Sequence, residues 1–158
     1  MREYVVSSLI LLYTSAACAQ TATAGWKVVR DSKSLCQIMV PPDWALMDQN
    51  SGAAVFHDAA TAIAVVTAQP GQAFKPLTAP LLKVMDIPKE RMFENSAKRI
   101  FYQDKVSRNS EDQNAFSASV PGNGATCSCH VVVVPGVSEQ TAKTIVLSLG
   151  PAPEKDKT

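Results

Sequence analysis

Cys127, Ser128, Cys129 and His130 place two thiols and an imidazole within four consecutive residues, the densest run of reactive side chains in the sequence. Thiolate and imidazole suit zinc or copper, so the run raises a metal-binding reading through Cys127 and Cys129. Strand geometry counts against it. In an extended segment alternate side chains leave opposite faces, so His130 departs from the face that carries both cysteines. A four-ligand cage would then need His57 or Cys36 brought in by the fold. With no second cysteine pair and no histidine-rich tract, an ordinary strand is the expectation, and no metal ligand or cofactor is assigned.

The redox state of the cysteines depends on compartment. Arg2 precedes an apolar run over residues 5–13, and small residues follow at 14–19. This pattern predicts a secretory signal peptide, cut after Ala19 so that the mature chain starts at Gln20. The run is far shorter than the roughly 20 apolar residues of a spanning helix, so no membrane span is expected. The competing expectation is a lipoprotein cut before Cys18, but Ser15 stands where a lipobox wants leucine. A secreted or periplasmic product follows.

Cleavage leaves Cys36, Cys127 and Cys129, an odd number in an oxidising compartment. Cys127 and Cys129 share a strand face with Cβ atoms roughly 6 to 7 Å apart, against the ~3.8 Å of a disulfide, so they do not bridge each other. Cys36 shares a face with Ile38 and Val40, and both sets point to an apolar layer. A disulfide from Cys36 to Cys127 or to Cys129 is one expectation, stabilising by roughly 4 kcal/mol through closure of a long loop. Three buried thiols packing as small hydrophobes is the other.

Conventional catalytic sets are not assembled by the sequence. His57 precedes Asp58, but no Gly-x-Ser-x-Gly elbow accompanies them, and a surface histidine beside a turn is the expectation. Glu90, Glu94, Glu111 and Asp112 read as solvated carboxylates. The run 121–124 has the glycines of a phosphate loop without its lysine or its following helix, so it reads as a hairpin turn.

The elements that must position these residues are mostly strands. Residues 26–30 and 35–40 predict a hairpin about the turn 31–34, ended by Pro41 and Pro42, neither of which can donate to a ladder. Turn residues at 48–52 precede two further strands, 53–57 and 61–69. The run 62–66 is apolar on both faces, which favours a central strand. Thr78 is placed to cap a helix carrying Leu81, Leu82 and Met85, and Pro88 to open a second helical stretch over 88–96 with Met92 and Phe93. Strands return at 99–106, 115–120 and 126–134, joined by the linkers 107–114 and 121–124. A last helix is capped by Ser138 and stopped by Gly150 and Pro151. In it Ala142, Ile145, Val146 and Leu149 form one apolar stripe.

The composition fits one globular domain over residues 20–152 with a disordered tail at 153–158. The chain has 158 residues, of which 46% are hydrophobic and 18% charged. Fifteen Lys and Arg against 14 Asp and Glu leave a formal charge of +1. That balance supplies no footprint for nucleic acid and no long-range steering toward an acidic membrane.

This order predicts an α+β fold, an antiparallel sheet of about six or seven strands flanked by helices. The strand 38–40 running into Pro41, Pro42, Asp43 and Trp44, with the stretch 144–149 in the closing helix, resembles the PsbP family, the photosystem II extrinsic subunit and its non-photosynthetic bacterial relatives. The resemblance implies an α/β/α sandwich that assists or binds another macromolecule. It transfers no catalytic residue, and no motif supports the photosystem role or the Ran-binding role of a eukaryotic branch.

The functional expectation is a secreted or periplasmic, non-enzymatic binding or assembly module. Its partner is an unknown protein or other macromolecule, and Trp44 and Phe74 are the candidate partner-surface residues. Two alternatives stand beside it. One is a small thiol-active or hydrolytic enzyme using the unpaired cysteine; the other is the metal-binding reading.

Overall fold

A computed structural model describes residues 23–48, 52–56, 62–108 and 110–154. The leader 1–19, Cys18, His57 with Asp58, and tail residues 155–158 lie outside the described residues. In chain order the elements are β1 (Lys27–Arg30), β2 (Cys36–Val40), β3 (Ala45–Asp48), β4 (Ala53–Phe56), β5 (Ala62–Pro70), α1 (Ala79–Val84) and a 3-10 turn (Lys89–Arg91). Then come β6 (Met92–Asn95), β7 (Ile100–Arg108), β8 (Glu111–Pro121), β9 (Ala125–Val132), α2 (Glu139–Leu147) and a two-residue β10 (Gly150–Pro151). Among the described residues the strands form a seven-stranded antiparallel sheet in the order β3-β4-β5-β9-β8-β7-β6 and a small sheet in the order β1-β2-β10. The fold is a sheet-rich α+β.

The apolar residues dictate how the two sheets meet. Along β9 the residues Ala125, Cys127, Cys129 and Val131 are buried, and along β8 Phe116, Ala118 and Val120 are buried opposite them. This period-2 pattern needs a cover. The cover is β2, packed on β5 and β9 through Cys36, Ile38 and Val40, together with α2, packed on β8, β9 and β2. Ala142, Ile145, Val146 and Leu149 of the expected stripe are all buried. Full burial of an aliphatic side chain contributes about 1.5 to 3 kcal/mol, so this face of α2 holds the helix on the sheet.

Local chemistry places the ends. Ser138 occupies the N-cap and its hydroxyl accepts from the Thr141 N–H at 3.0 Å. At the far end the Ser148 hydroxyl accepts from the Met39 N–H at 2.8 Å, joining the helix C-terminus to β2. Gly150 and Pro151 then pair with Gln37 and Cys36, so the predicted stop doubles as a short strand. The buried Asp31 carboxylate holds the β1–β2 turn by accepting from the N–H groups of Lys33, Leu35 and Cys36 at 2.7 to 2.8 Å. In the β8–β9 turn Gly122 lies so near the Cys127 sulfur that a Cβ there would meet it at 2.8 Å, and Gly124 has φ +71°.

Several expectations are corrected. Residues 92–95 form a strand rather than helix: Pro88 opens a single 3-10 turn, after which β6 pairs with β7 and the Phe93 ring packs tilted against Phe101 at 4.8 Å between centroids. Strand pairing and ring packing outweigh a weak helical preference. The linker 107–114 is mostly ladder, since β7 and β8 stay paired out to Arg108 and Glu111 and turn at Ser110, φ 66°. Ser107, Glu111 and Asp112 are exposed there, so this end of the ribbon is polar and reads as loop. The edge strand β3 was not anticipated, being four residues long and paired, among the described residues, with β4 alone. Helix α1 exists, but the Thr78 side chain makes no cap bond and no α1 residue is buried. Helical cover of the large sheet therefore comes from α2 on one face, while α1 lies at the margin of the other.

Trp44 is corrected too. It is one of the largest side chains sealed in the core and offers no partner surface. Lys27 Nζ donates to the carbonyls of Pro42 and Trp44, which fixes the stretch 42–44 against β1.

Candidate functional site

The face of the seven-stranded sheet opposite the core carries a different chemistry. On β8 Ser117 and Ser119 alternate with the core residues, and on β9 Thr126, Ser128 and His130 do so, Ser117 and Thr126 being themselves buried on this second face. Register brings these into two rows. Val65, His130, Ser117 and Tyr102 are cross-strand neighbours on β5, β9, β8 and β7, and Thr67, Ser128, Ser119 and Ile100 form the next row. Directly opposed side chains on one face sit about 4.5 to 5.5 Å apart at Cβ, within reach of one another.

They are joined by hydrogen bonds. Ser117 Oγ lies 2.7 Å from His130 Nδ1, a contact that either imidazole tautomer satisfies. The Tyr102 phenol is the next side chain along this row, directly across from Ser117. Ser119 Oγ and Ser128 Oγ are 2.9 Å apart. Asp104 flanks the first row, its carboxylate accepting from the Lys105 N–H at 2.8 Å. Burial pulls the imidazole pKa below 6.5, opposed by the nearby Asp104 charge, so His130 is neutral at pH 7. Burial also raises the Tyr102 phenol above its usual value, eased by the neighbouring Ser117 hydroxyl and reinforced by Asp104.

The rows floor an open hollow of about 300 Å³. A second hollow of about 410 Å³ shares Ser119 and Ser128 with it and runs beneath the strap 72–78. Two contacts hold that strap. Thr126 Oγ1 donates to the Gln72 carbonyl at 2.9 Å, and the Asn95 amide clamps Leu77 by accepting from its N–H at 2.8 Å and donating to its carbonyl at 2.9 Å. Phe74, a candidate partner residue, is half-buried and forms part of the wall of this second hollow. A polar groove with one aromatic wall results.

Chemically the groove is equipped to bind. Ser117, His130 and Asp104 have the residue types of a hydrolytic triad without its geometry. Ser117 is only 8% exposed and lies mid-strand between β7 and β9, so its N–H faces a ladder rather than a strained elbow that could present an oxyanion donor. The Asp104 carboxylate bonds its own neighbour Lys105 instead of orienting the imidazole.

The cysteines occupy the covered face. Of the two partners open to Cys36, the structure joins it to Cys127, with Cα atoms 5.5 Å apart at a sequence separation of 91. The bridge ties the small sheet to the large one. Cys129 is a free thiol, 3% exposed, and burial pushes its pKa up, which keeps it protonated and unreactive. Among the described residues no three His, Cys, Asp or Glu side chains converge on a metal-sized site. His130 lies across the sheet from Cys129, as the pleat requires, and Cys127 is committed to its disulfide.

A solved structure from Bacteroides thetaiotaomicron VPI-5482 is similar, with a TM-score of 0.53 and 13% identity over 81% of this chain and 48% of that one. The likeness is one of fold alone. This chain spans about half the length of that protein. No family model matches the sequence, and no curated protein matches it.

Sequence reasoning missed Tyr102, Asp104, Ser117, Ser119 and Thr67 as site residues and weighed Ser128 and His130 only within the cysteine run. A signal was present. Ser117 with Ser119 and Ser128 with His130 alternate with apolar residues on consecutive antiparallel strands, a pattern that assigns them one face. What the pattern withholds is register, and only register brings the hydroxyls together.

Proposed function

We propose that the chain is an extracytoplasmic binding module whose ligand lies along the open face of the seven-stranded sheet. The disulfide is of the kind that persists in oxidising compartments, and no helix among the described residues is long and apolar enough to cross a membrane. The signal-peptide pattern adds to this reading. The observation that carries it is the double row of hydroxyls, phenol and neutral imidazole flooring a groove whose apolar wall includes Phe74.

The chemistry favours an uncharged, hydroxyl-rich ligand such as a saccharide. Serine, threonine and tyrosine hydroxyls both donate and accept, as sugar hydroxyls do, and an aromatic wall suits the C–H face of a pyranose. The resemblance to the PsbP family implies the same broad role, a non-enzymatic module serving another macromolecule.

Titrating isotope-labelled protein with neutral oligosaccharides tests the assignment. Amide shifts should concentrate at Thr67, Tyr102, Ser117, Ser128 and His130, and Ser117→Ala should weaken binding about tenfold, as loss of one buried ligand hydrogen bond does. Shifts confined to other faces of the molecule would refute it.

A further inference from the structure

We infer that α1 and the chain around it form a foot that docks on an anionic phospholipid surface. Leu81, Val84 and Met85 stand at i, i+3 and i+4, one face of the helix, and are 48%, 83% and 40% exposed, Leu81 also edging the second hollow. A helix this short does not persist by backbone bonding alone. Here it is braced from behind by the Asn95 clamp on Leu77, by the Ile87 N–H donating to the Leu82 carbonyl, and by Arg91 bonded to Asp86. The molecule thus spends contacts on presenting an aliphatic stripe outward.

Charge around the stripe selects the partner. Residues 75–99 carry six basic side chains, Lys75, Lys83, Lys89, Arg91, Lys98 and Arg99, against three acidic ones, Asp86, Glu90 and Glu94. The two arginines are matched, Arg91 with Asp86 at 3.9 Å and Arg99 with Glu94 at 4.0 Å. The four lysines are exposed and have no ion pair among the described residues, against Glu90 as the one acid of this stretch left unmatched there. The whole-chain charge of +1 conceals this local excess.

Exposed apolar side chains on a segment carrying exposed lysines match the interface of an anionic bilayer, where apolar groups enter the acyl boundary and ammonium groups meet phosphates. An acidic protein would instead be met by a shaped recess with fixed polar partners, and Val84 projects from the surface rather than lining a recess.

The test is co-sedimentation of the chain lacking residues 1–19, which retains every described residue, with vesicles. Phosphatidylglycerol–phosphatidylcholine vesicles are compared with pure phosphatidylcholine at low and high salt. Expected are binding to the anionic vesicles only, a loss of roughly fivefold for each of Lys83→Gln and Lys89→Gln, and weakening by salt. Val84→Asp should abolish sedimentation while leaving the circular dichroism spectrum and melting temperature of the wild type. Equal binding to both vesicle types, no binding to either, or full binding by the folded Val84→Asp protein would overturn the proposal. Capture of an acidic protein through Val84 without vesicle binding would do so as well.

Discussion

The two faces of the seven-stranded sheet are built from the same strands by the same pleat, yet they do opposite work. On β9, Cys127, Cys129 and Val131 turn inward beneath β2 and α2, while Thr126, Ser128 and His130 turn outward. Cys129 and His130 are adjacent in sequence, and a metal reading joins them. In the fold one is an inert, protonated thiol in the core and the other is a neutral imidazole at the floor of a groove. Adjacency along a strand separates side chains, and adjacency across strands brings them together.

The contrast can be broken most strongly at the covered face. Replacing Cys36 and Cys127 together by alanine frees a loop of 91 residues, and loop-closure entropy predicts a loss of about 4 kcal/mol in urea unfolding. If unfolding of the oxidised wild type matched that of the double variant, the bridge would not be what holds the two sheets together. Ile145→Ala should cost about 3 kcal/mol by leaving a cavity between α2 and the sheet, with the disulfide intact. A cost near zero would mean that α2 does not seal this face.

The open face should respond weakly in stability and strongly in binding. Ser117→Ala leaves His130 and Tyr102 facing a solvent-accessible hollow, so its loss in stability should be about 1 kcal/mol or less. A larger loss would make the row part of the core. The smallest effect is on pH. Because the folded imidazole titrates below its unfolded value of 6.5, the unfolded state takes up the proton first as pH falls. The contribution of His130 is therefore complete above pH 6.5 and declines as pH drops through the folded value. His130→Gln should flatten that part of the stability curve in thermal melts between pH 7.5 and pH 5; an unchanged curve would place the histidine in open solvent.

Legibility followed the range of the interaction. The first hairpin, the strands at 53–56 and 62–70, the capped final helix and its buried stripe were readable because turn residues, caps and periodicity act over a few positions. The strand at 92–95 was not, since Met92 and Phe93 acquire strand geometry from β7 and from the ring of Phe101. Trp44, flanked by loop residues, read as a surface candidate until the second sheet closed over it. The candidate site was half legible: alternation showed which residues share a strand face, and nothing local showed which strands would lie side by side.

From its sequence alone this chain specified strand-rich order, a helix with one apolar stripe, and the opposite pointing of His130 from Cys127 and Cys129. Each of these rests on backbone periods of 2 and 3.6 residues, which neighbours along the chain impose. Only the tertiary structure decided that Cys36 joins Cys127, that one face of the large sheet is sealed and the other left polar and open, and that side chains from β5, β7, β8 and β9 share a groove. Those outcomes depend on register and packing between segments far apart in sequence, where the free energy belongs to the contact rather than to either segment.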